Sequence, residues 1–240
     1  MAIERSVILY DGPGGPFEGL AVRDTDWRGL RPGVMLFPNV LGPKEMDFAN
    51  AERLAELGYA AFVADVYGQG NRATRADEDP PRFMNALNAD RALLKDRLLA
   101  SLAALKGLDA VDPEKTAATG YCFGGKCVLD LVRCGADILG VVSFHGVYEP
   151  PPFPNVDAMT AKVLVCHGWD DPLAPPEATI ALAQELTEGG ADWQVHAYGH
   201  TGHGFTDTSV PKYQNGFGYR EFIDRRSWKA MSNFLEEVFA

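Results

Sequence analysis

Three short stretches of the sequence carry residue types that together can perform covalent acyl chemistry. A cysteine, Cys122, lies in Gly-Tyr-Cys-Phe-Gly-Gly; an acidic pair ending at Asp171 lies in His-Gly-Trp-Asp-Asp-Pro; and a histidine, His203, lies between glycines in the stretch Gly-His-Gly-Phe. A thiol nucleophile needs a base that exchanges protons with it and a carboxylate that orients the base. These three residue types could therefore break an acyl bond through a covalent intermediate.

Cys122 differs from the other cysteines in its neighbours. Small residues two positions before and two after a nucleophile, here Gly120 and Gly124, permit a tight turn from strand to helix. The beginning of a helix also favours thiolate over thiol, because the positive end of the helix dipole lies there. A cysteine taken alone is more often a buried core residue, as we expect for Cys127 and Cys134. We predict that Cys122 is the nucleophile.

The carboxylate and the base follow from their places in the chain. An apolar run delivers Asp170 and Asp171 to the end of a predicted strand, where functional groups of open α/β sheets gather, and we select Asp171. An isolated aspartate is more often a helix cap or a solvated loop residue. The order nucleophile, acid, histidine is that of the α/β-hydrolase topology, and Cys122, Asp171 and His203 follow it.

The remaining histidines are predicted to pack or to form structural hydrogen bonds, since they lie in or beside strands. They are His145, His167, His196 and His200. A zinc site on His200 and His203 would need a third ligand at suitable spacing, and the sequence has neither that ligand nor a His-Glu-x-x-His helix. We expect no metal and no cofactor.

The predicted elements alternate between strand and helix. SVILYD and FEGLAVRD flank a GPGGP turn and predict a hairpin. Apolar runs then alternate with helical patterns; the predicted helices cover residues 44–57, 82–105, 123–134, 175–187 and 219–239. This alternation predicts an α/β fold, a mostly parallel sheet covered by helices on both faces. Two turn-rich connections, residues 68–81 and 148–157, are predicted to rim a pocket.

Length and composition favour one globular domain over residues 1–240. The chain is 46% hydrophobic and 23% charged and has a formal net charge of −11, which would repel nucleic acid and anionic lipid. The apolar run near the first residues is too short for a signal peptide, and no later apolar run approaches the length of a membrane-spanning segment. We expect a cytoplasmic protein whose four cysteines are reduced thiols.

The motifs GYCFGG, HGWDDPLAP and GHGF together resemble the dienelactone hydrolase family across nearly the whole chain. The resemblance implies an eight-stranded α/β-hydrolase fold without a large lid domain, and a triad carried here by Cys122, His203 and Asp171. It also implies an oxyanion hole formed by the backbone N–H groups of Phe123 and Val40.

The chain departs from the dienelactone-cleaving members of that family at positions that affect the substrate. Where they have a glutamate that helps to ionise the thiol, this chain has Asn39, which cannot accept a proton. Where one of their carboxylate-binding arginines follows the catalytic histidine, the stretch after His203 contains Asp207. Arg82 is a candidate for the second arginine and equally a solvated residue at a helix start. We therefore expect a small ester or lactone other than dienelactone.

Two alternatives to catalysis remain open from the sequence. Asn39 is compatible with a non-catalytic protein that binds a small molecule in the same fold. An activated Cys122 is also compatible with a redox-responsive thiol, although Cys127, five residues along, is poorly placed to form a disulfide with it. The expected partner is a small ester or lactone substrate, and the expected assembly is a monomer or a small homo-oligomer.

Overall fold

The computed structural model describes residues 2–240, which form eight strands and six helices. The strands are β1 (Ile3–Tyr10), β2 (Phe17–Asp24), β3 (Arg31–Phe37), β4 (Ala60–Val63), β5 (Val111–Tyr121), β6 (Gly140–Phe144), β7 (Lys162–Gly168) and β8 (Trp193–Tyr198). The helices are α1 (Glu45–Glu56), α2 (Arg82–Ala89), α3 (Arg91–Lys106), α4 (Phe123–Arg133), α5 (Pro176–Glu188) and α6 (Glu221–Val238).

The strands form one eight-stranded sheet in the order β1-β2-β4-β3-β5-β6-β7-β8. The first hairpin is antiparallel, and β2 also pairs antiparallel with β4. Parallel pairing joins β3 to β4, and it joins β6, β7 and β8 in succession. The predicted hairpin, the mostly parallel sheet and the eight strands implied by the family resemblance are confirmed.

The chain divides into two compact units, one ending at Ala118 and one beginning at Thr119, and β5 runs from the first into the second. In the first unit α1 packs on β2 and β4, and α3 packs on β3. Its core is apolar and buried, with Met35 and Phe37 from β3, Phe62 from β4 and Leu98 from α3. A single domain over residues 1–240 stays a prediction.

The second unit surrounds α4, whose residues are all buried. This helix packs on β6, and α6 packs on β6 and β7. Strands β6 and β7 are buried on nearly every residue, as is usual for parallel strands covered on both faces. The carboxyl ends of β6, β7 and β8 therefore lie side by side, and each is followed by a loop that carries a histidine or an aspartate.

The prediction of one continuous helix over residues 82–105 is wrong, because the chain forms two helices there. The break is at Asp90, which has φ −126° and ψ 80°, and its side chain accepts a hydrogen bond of 2.9 Å from the Leu93 backbone N–H. Aspartate in that arrangement caps a new helix. The apolar spacing continues across the break, so periodicity alone predicts one helix. The other four predicted helices begin and end within two residues of the observed bounds.

No helix within residues 2–240 combines the length and the apolar character that a bilayer-spanning segment needs.

Candidate active site

Cys122 lies on a sharp turn between β5 and α4. Its backbone has φ 57° and ψ −112°, a conformation that residues with a Cβ rarely adopt. The turn also needs Gly120, because a Cβ there would collide with the carbonyl group of Gly124. The Cys122 N–H donates to the Phe144 carbonyl at 3.0 Å, which ties the turn to the end of β6. The predicted strand-to-helix turn is therefore present.

The thiol of Cys122 lies at the amino end of α4 and is partly exposed, although the helix behind it is buried. The first N–H groups of a helix have no acceptors within the helix, and they favour a negative charge beside them. Cys127 is fully buried, whereas Cys134 is half-buried. All four cysteines are thiols within residues 2–240, and none forms a disulfide.

Asp171 lies on the loop after β7 and is buried. Its N–H donates to the Gly168 carbonyl at 3.0 Å, and its Oδ1 accepts from the Leu173 N–H at 2.8 Å. Its Oδ2 is 2.8 Å from Nδ1 of His203, so one carboxylate oxygen is held by the loop and the other holds the imidazole. The neighbouring Asp170 is exposed to solvent.

His203 is held by backbone contacts on both sides. Its N–H donates to the Gly216 carbonyl at 2.7 Å, and its carbonyl accepts from the Gly218 N–H at 3.1 Å. Gly202 is required next to it, because a Cβ there would collide with the Gly216 carbonyl group. The ring is therefore fixed through the loop of residues 204–218 as well as through Asp171.

The imidazole of His203 has a strongly raised pKa. Burial lowers the pKa, but the negative charge assigned to Cys122, the hydrogen bond with Asp171 and the charge of Asp171 outweigh it and raise the pKa to about 10. The ring Nε2 is itself buried, so water screens these interactions little. The raised pKa favours the protonated imidazole of His203 beside Cys122.

The raised pKa of His203 predicts how Cys122 reacts at different pH values. We expect the rate of alkylation by iodoacetamide to change little between about pH 6.5 and pH 9, because the raised pKa of His203 predicts an ion pair in which Cys122 is already a thiolate. In the variant His203→Ala the rate should instead rise with pH as for an isolated thiol, with a midpoint near 8.5. Rate constants from mass spectrometry of alkylated Cys122 provide the measurement, and identical profiles for the two proteins would contradict the ion pair.

The raised pKa of His203 also links stability to pH. The pKa of His203 in the folded protein, about 10, lies above the value of about 6.5 expected for the unfolded chain. Its proton therefore stabilises the native state fully below the unfolded value, and this contribution is lost as the pH rises through about 10.

His145 contacts the same site, and it does so through a hydrogen bond and ring packing, as predicted for the histidines in or beside strands. It follows β6, is buried and has φ 36°. Its Nε2 is 2.8 Å from the Thr206 hydroxyl, and its ring centroid lies 5.1 Å from that of His203 and 4.9 Å from that of Phe205. The position after a strand that ends at the same sheet edge was the available signal. His145 thus supports the loop that carries His203.

The Thr206 hydroxyl gives a testable measure of that support. Thr206→Val keeps the shape of the side chain but removes the partner of a buried imidazole nitrogen, and we expect it to lower the free energy of unfolding by about 1–3 kcal/mol. Thr206→Ser keeps the hydroxyl and is the matched control. Urea unfolding of the two variants supplies the comparison; equal midpoints would show that the contact contributes nothing to stability.

A buried charge cluster on α4 holds the loop of residues 148–157, one of the two predicted pocket rims. Arg133 is 1% exposed and forms two hydrogen bonds of 2.7 Å with the Glu185 carboxylate. It also donates to the Tyr148 carbonyl at 2.8 Å. Lys126, from the same helix, pairs with Glu149 at 3.0 Å. No local sequence pattern indicates this cluster, because its partners are far apart in the chain.

Asn39 and Val40 lie in the first unit, in the loop after β3. Asn39 is buried, and its Oδ1 accepts a hydrogen bond of 3.0 Å from the Leu41 N–H. The Val40 carbonyl accepts from the Tyr67 hydroxyl at 3.1 Å. The side chain of Asn39 therefore helps to shape the backbone of the segment to which Val40 belongs.

Two other residues with predicted effects on the substrate already have close partners. Arg82 begins α2 and forms an ion pair of 2.6 Å with Asp77, and both side chains are partly exposed. Asp207 is buried, and its Oδ1 accepts from the N–H of Ser209 at 3.0 Å and from its hydroxyl at 2.6 Å. A substrate-binding role for Arg82 stays a prediction.

The fold and the geometry of the site together define the class of protein: it is an α/β-hydrolase, with a mostly parallel sheet and its candidate residues on loops after β5, β7 and β8. Residues 17–239 match the model of the family described as "Dienelactone hydrolase family". The chain belongs to that family, and it is an ester or lactone hydrolase.

Similar proteins agree with this assignment. A crystal structure described as a dienelactone hydrolase-like promiscuous phosphotriesterase from metagenomic libraries is 35% identical, covers 100% of both chains and has a TM-score of 0.94. The carboxymethylenebutenolidase of Pseudomonas putida is 26% identical over 76% of this chain and 78% of its own. The uncharacterized protein K02A2.1 of Caenorhabditis elegans is 36% identical over 61% of this chain and 95% of its own.

Proposed function

We propose that this hydrolase cleaves small carboxylic esters or lactones through a thioester on Cys122. The observation that carries the proposal is the 2.8 Å contact between Nδ1 of His203 and Oδ2 of Asp171, and the raised pKa of His203, to which the charge assigned to Cys122 contributes, supports it. A thiolate on a tight turn, an imidazolium beside it and a buried carboxylate behind the imidazolium are the parts that nucleophilic acyl transfer needs.

The proposed reaction has two halves. The Cys122 sulfur attacks the carbonyl carbon, the C–S bond forms, and the C–O bond to the leaving group breaks as His203 gives its proton to the departing alkoxide oxygen. A water then loses a proton to His203 and attacks the thioester carbon, which breaks the C–S bond and returns the thiolate. Asp171 keeps Nδ1 of His203 protonated throughout, so Nε2 is the nitrogen that exchanges protons.

The oxyanion formed in each half needs hydrogen-bond donors. We assign this role to the backbone N–H of Phe123, the first residue of α4, and to that of Val40, as the family resemblance implies. Backbone donors that are already in place stabilise the developing charge without reorganisation, and removal of one such donor elsewhere costs about 2.7–4 kcal/mol. Their side chains contribute little to this function.

The substrate differs from dienelactone in this proposal. Asn39 replaces the glutamate that ionises the thiol in dienelactone-cleaving members, and here the imidazolium of His203 stabilises the thiolate instead. Asp207 adds a buried carboxylate four residues after His203, in the loop of residues 204–218, which disfavours a substrate that carries a carboxylate of its own. Uncharged short-chain esters and lactones fit these residues better.

Direct detection of the acyl-enzyme tests the proposal. The protein is mixed with p-nitrophenyl acetate, quenched with acid during turnover and digested, and the peptide containing Cys122 is examined by mass spectrometry. We expect an acetyl group on Cys122 in the wild-type protein and its accumulation when deacylation is slow. Release of p-nitrophenol with no acetylated Cys122 would contradict the thioester, and absence of any turnover across esters and lactones would favour the binding protein over the enzyme.

A second candidate function is the hydrolysis of phosphotriesters. The relative described as a promiscuous phosphotriesterase matches the full length of this chain at 35% identity, which motivates the proposal. The Cys122 thiolate would attack phosphorus, the aryloxide would leave, and water would release a phosphodiester. Incubation with paraoxon should release p-nitrophenol and add a diethylphosphoryl group to Cys122; no release and no adduct would restrict the site to carbon esters.

A further inference from the structure

A cavity in the first unit collects arginines on a chain that is otherwise strongly acidic. Three arginines lie within nine residues, Arg23 to Arg31, and all three line a cavity of about 300 Å³. The cavity borders the end of β2, the start of β3 and the residue before β5. Cys122 follows the last residue of β5, so this cavity is not part of the candidate active site.

Arg31 is the unusual residue of this cavity. It is 3% exposed, and its Nη2 donates to the Asp24 carbonyl at 3.1 Å. Its Nε and Nη1 are buried and have no hydrogen-bond partner within residues 2–240. Asp24 lies near enough for its charge to act on Arg31, but its carboxylate accepts no hydrogen bond from Nε or Nη1, and its Oδ1 accepts from the N–H groups of Ala2 and Asp26.

A buried guanidinium with unused donors is costly, since burial of charge needs a compensating partner. Burial lowers the pKa of Arg31, and the repulsion of Arg23 adds to that decrease, while the charge of Asp24 opposes it. An anion that entered the cavity would supply the missing acceptor.

Aromatic and apolar surface lies beside the guanidinium. The Trp27 ring centroid is 5.2 Å from Cζ of Arg31, and the side chain is 56% exposed although it is a large apolar group. Leu30 is 59% exposed on the same turn and also lines the cavity. A flat apolar group could therefore cover Trp27 and Leu30 while an acidic group reached Arg31.

The charges around the cavity limit the anion that fits. Arg23 already pairs with Glu4 at 3.3 Å, which leaves Arg28 and Arg31 for a ligand. Asp24 and Asp109 also line the cavity, and their carboxylates would repel a doubly charged phosphate more than a singly charged carboxylate. A planar guanidinium also matches the two oxygens of a carboxylate.

We propose that this cavity binds a small organic monocarboxylate with a flat apolar body, whose carboxylate contacts Arg31 and Arg28 and whose body covers Trp27 and Leu30. The site is separate from the proposed ester hydrolysis and does not depend on it.

Benzoate is the probe for the test, with inorganic phosphate as the second ligand. Both are titrated into protein whose Cys122 has first been alkylated with iodoacetamide, which blocks the candidate active site, and binding is followed by calorimetry and tryptophan fluorescence. We expect saturable one-site binding of benzoate, with a fluorescence change from Trp27, and weaker binding of phosphate. Arg31→Gln and Trp27→Ala should each raise the Kd for benzoate at least about tenfold.

The control is Arg53→Gln, which removes an arginine outside the cavity and should leave the Kd unchanged. If Arg31→Gln does not fold, Arg28→Gln and Trp27→Ala carry the comparison, since both side chains lie at the surface of the cavity. Absence of saturable benzoate binding, or a Kd that none of the cavity variants changes, would overturn the proposal. Phosphate binding as tight as that of benzoate would overturn the assignment to a monocarboxylate.

Discussion

Cys122→Ala is expected to lower kcat for p-nitrophenyl acetate by about 10⁵ to 10⁶, close to the effect of removing a whole catalytic unit. The reason is that no other thiol can occupy the turn between β5 and α4: Cys127 is buried on the following helix, and Cys134 lies beyond its last residue. Alanine keeps a Cβ and so keeps the backbone strain of the turn. Stability should therefore change little, and steady-state kinetics should show the loss in kcat.

The matched control for this prediction is Cys134→Ala, which removes a partly exposed thiol at the other end of the same helix. Its kcat and KM should stay within about twofold of wild type, as for a substitution away from the reacting atoms. Activity that survives Cys122→Ala but is lost in Cys134→Ala would show that the nucleophile is Cys134 and not Cys122. Activity that survives in both would exclude a cysteine mechanism.

Asp171→Asn carries the second largest effect, a decrease of about 10⁴ in kcat with little change in KM. Asparagine retains an oxygen for the Leu173 N–H, which Asp171 Oδ1 now accepts at 2.8 Å, so the loop should keep its shape. Its amide would instead present N–H groups to Nδ1 of His203. The imidazole would then hold its proton on Nε2 and could not accept another from water.

Asp170→Asn is the control for the second prediction, since Asp170 is an exposed carboxylate immediately before Asp171 in the chain. Kinetics on the two variants, with unfolding curves to show that both are folded, separate a catalytic carboxylate from a general loss of negative charge. Equal decreases in the two variants would remove Asp171 from the proposed triad. A decrease confined to KM would make it a binding residue.

The parts of the fold and site that could be predicted from sequence depend on short-range signals. Gly120 and Cys122 lie two residues apart, and the steric demand of a tight turn is visible in that spacing alone. The end of an apolar run marks where Asp171 leaves β7, and the same signal places His203 after β8. Chain order then links the three residues, because the topology of the fold determines which strand ends are neighbours.

The parts that sequence reasoning missed depend on contacts between distant residues. His145 and Thr206 are 61 residues apart, and Arg133 and Glu185 are 52 residues apart. Neither pair has a local pattern, since a buried arginine and an exposed one look the same in a sequence. The break at Asp90 was missed for a different reason, because a single capping side chain outweighs apolar periodicity that continues on both sides of it.

The backbone conformation of Cys122 has a consequence for the evolution of the chain. A residue with a Cβ held at φ 57° costs on the order of 1–3 kcal/mol, a cost that glycine at the same position would avoid. A population of variants selected for heat resistance alone should therefore accumulate glycine at position 122, and those variants would be inert. Under the proposed chemistry, a cysteine at this position reflects selection for turnover acting against selection for thermal stability.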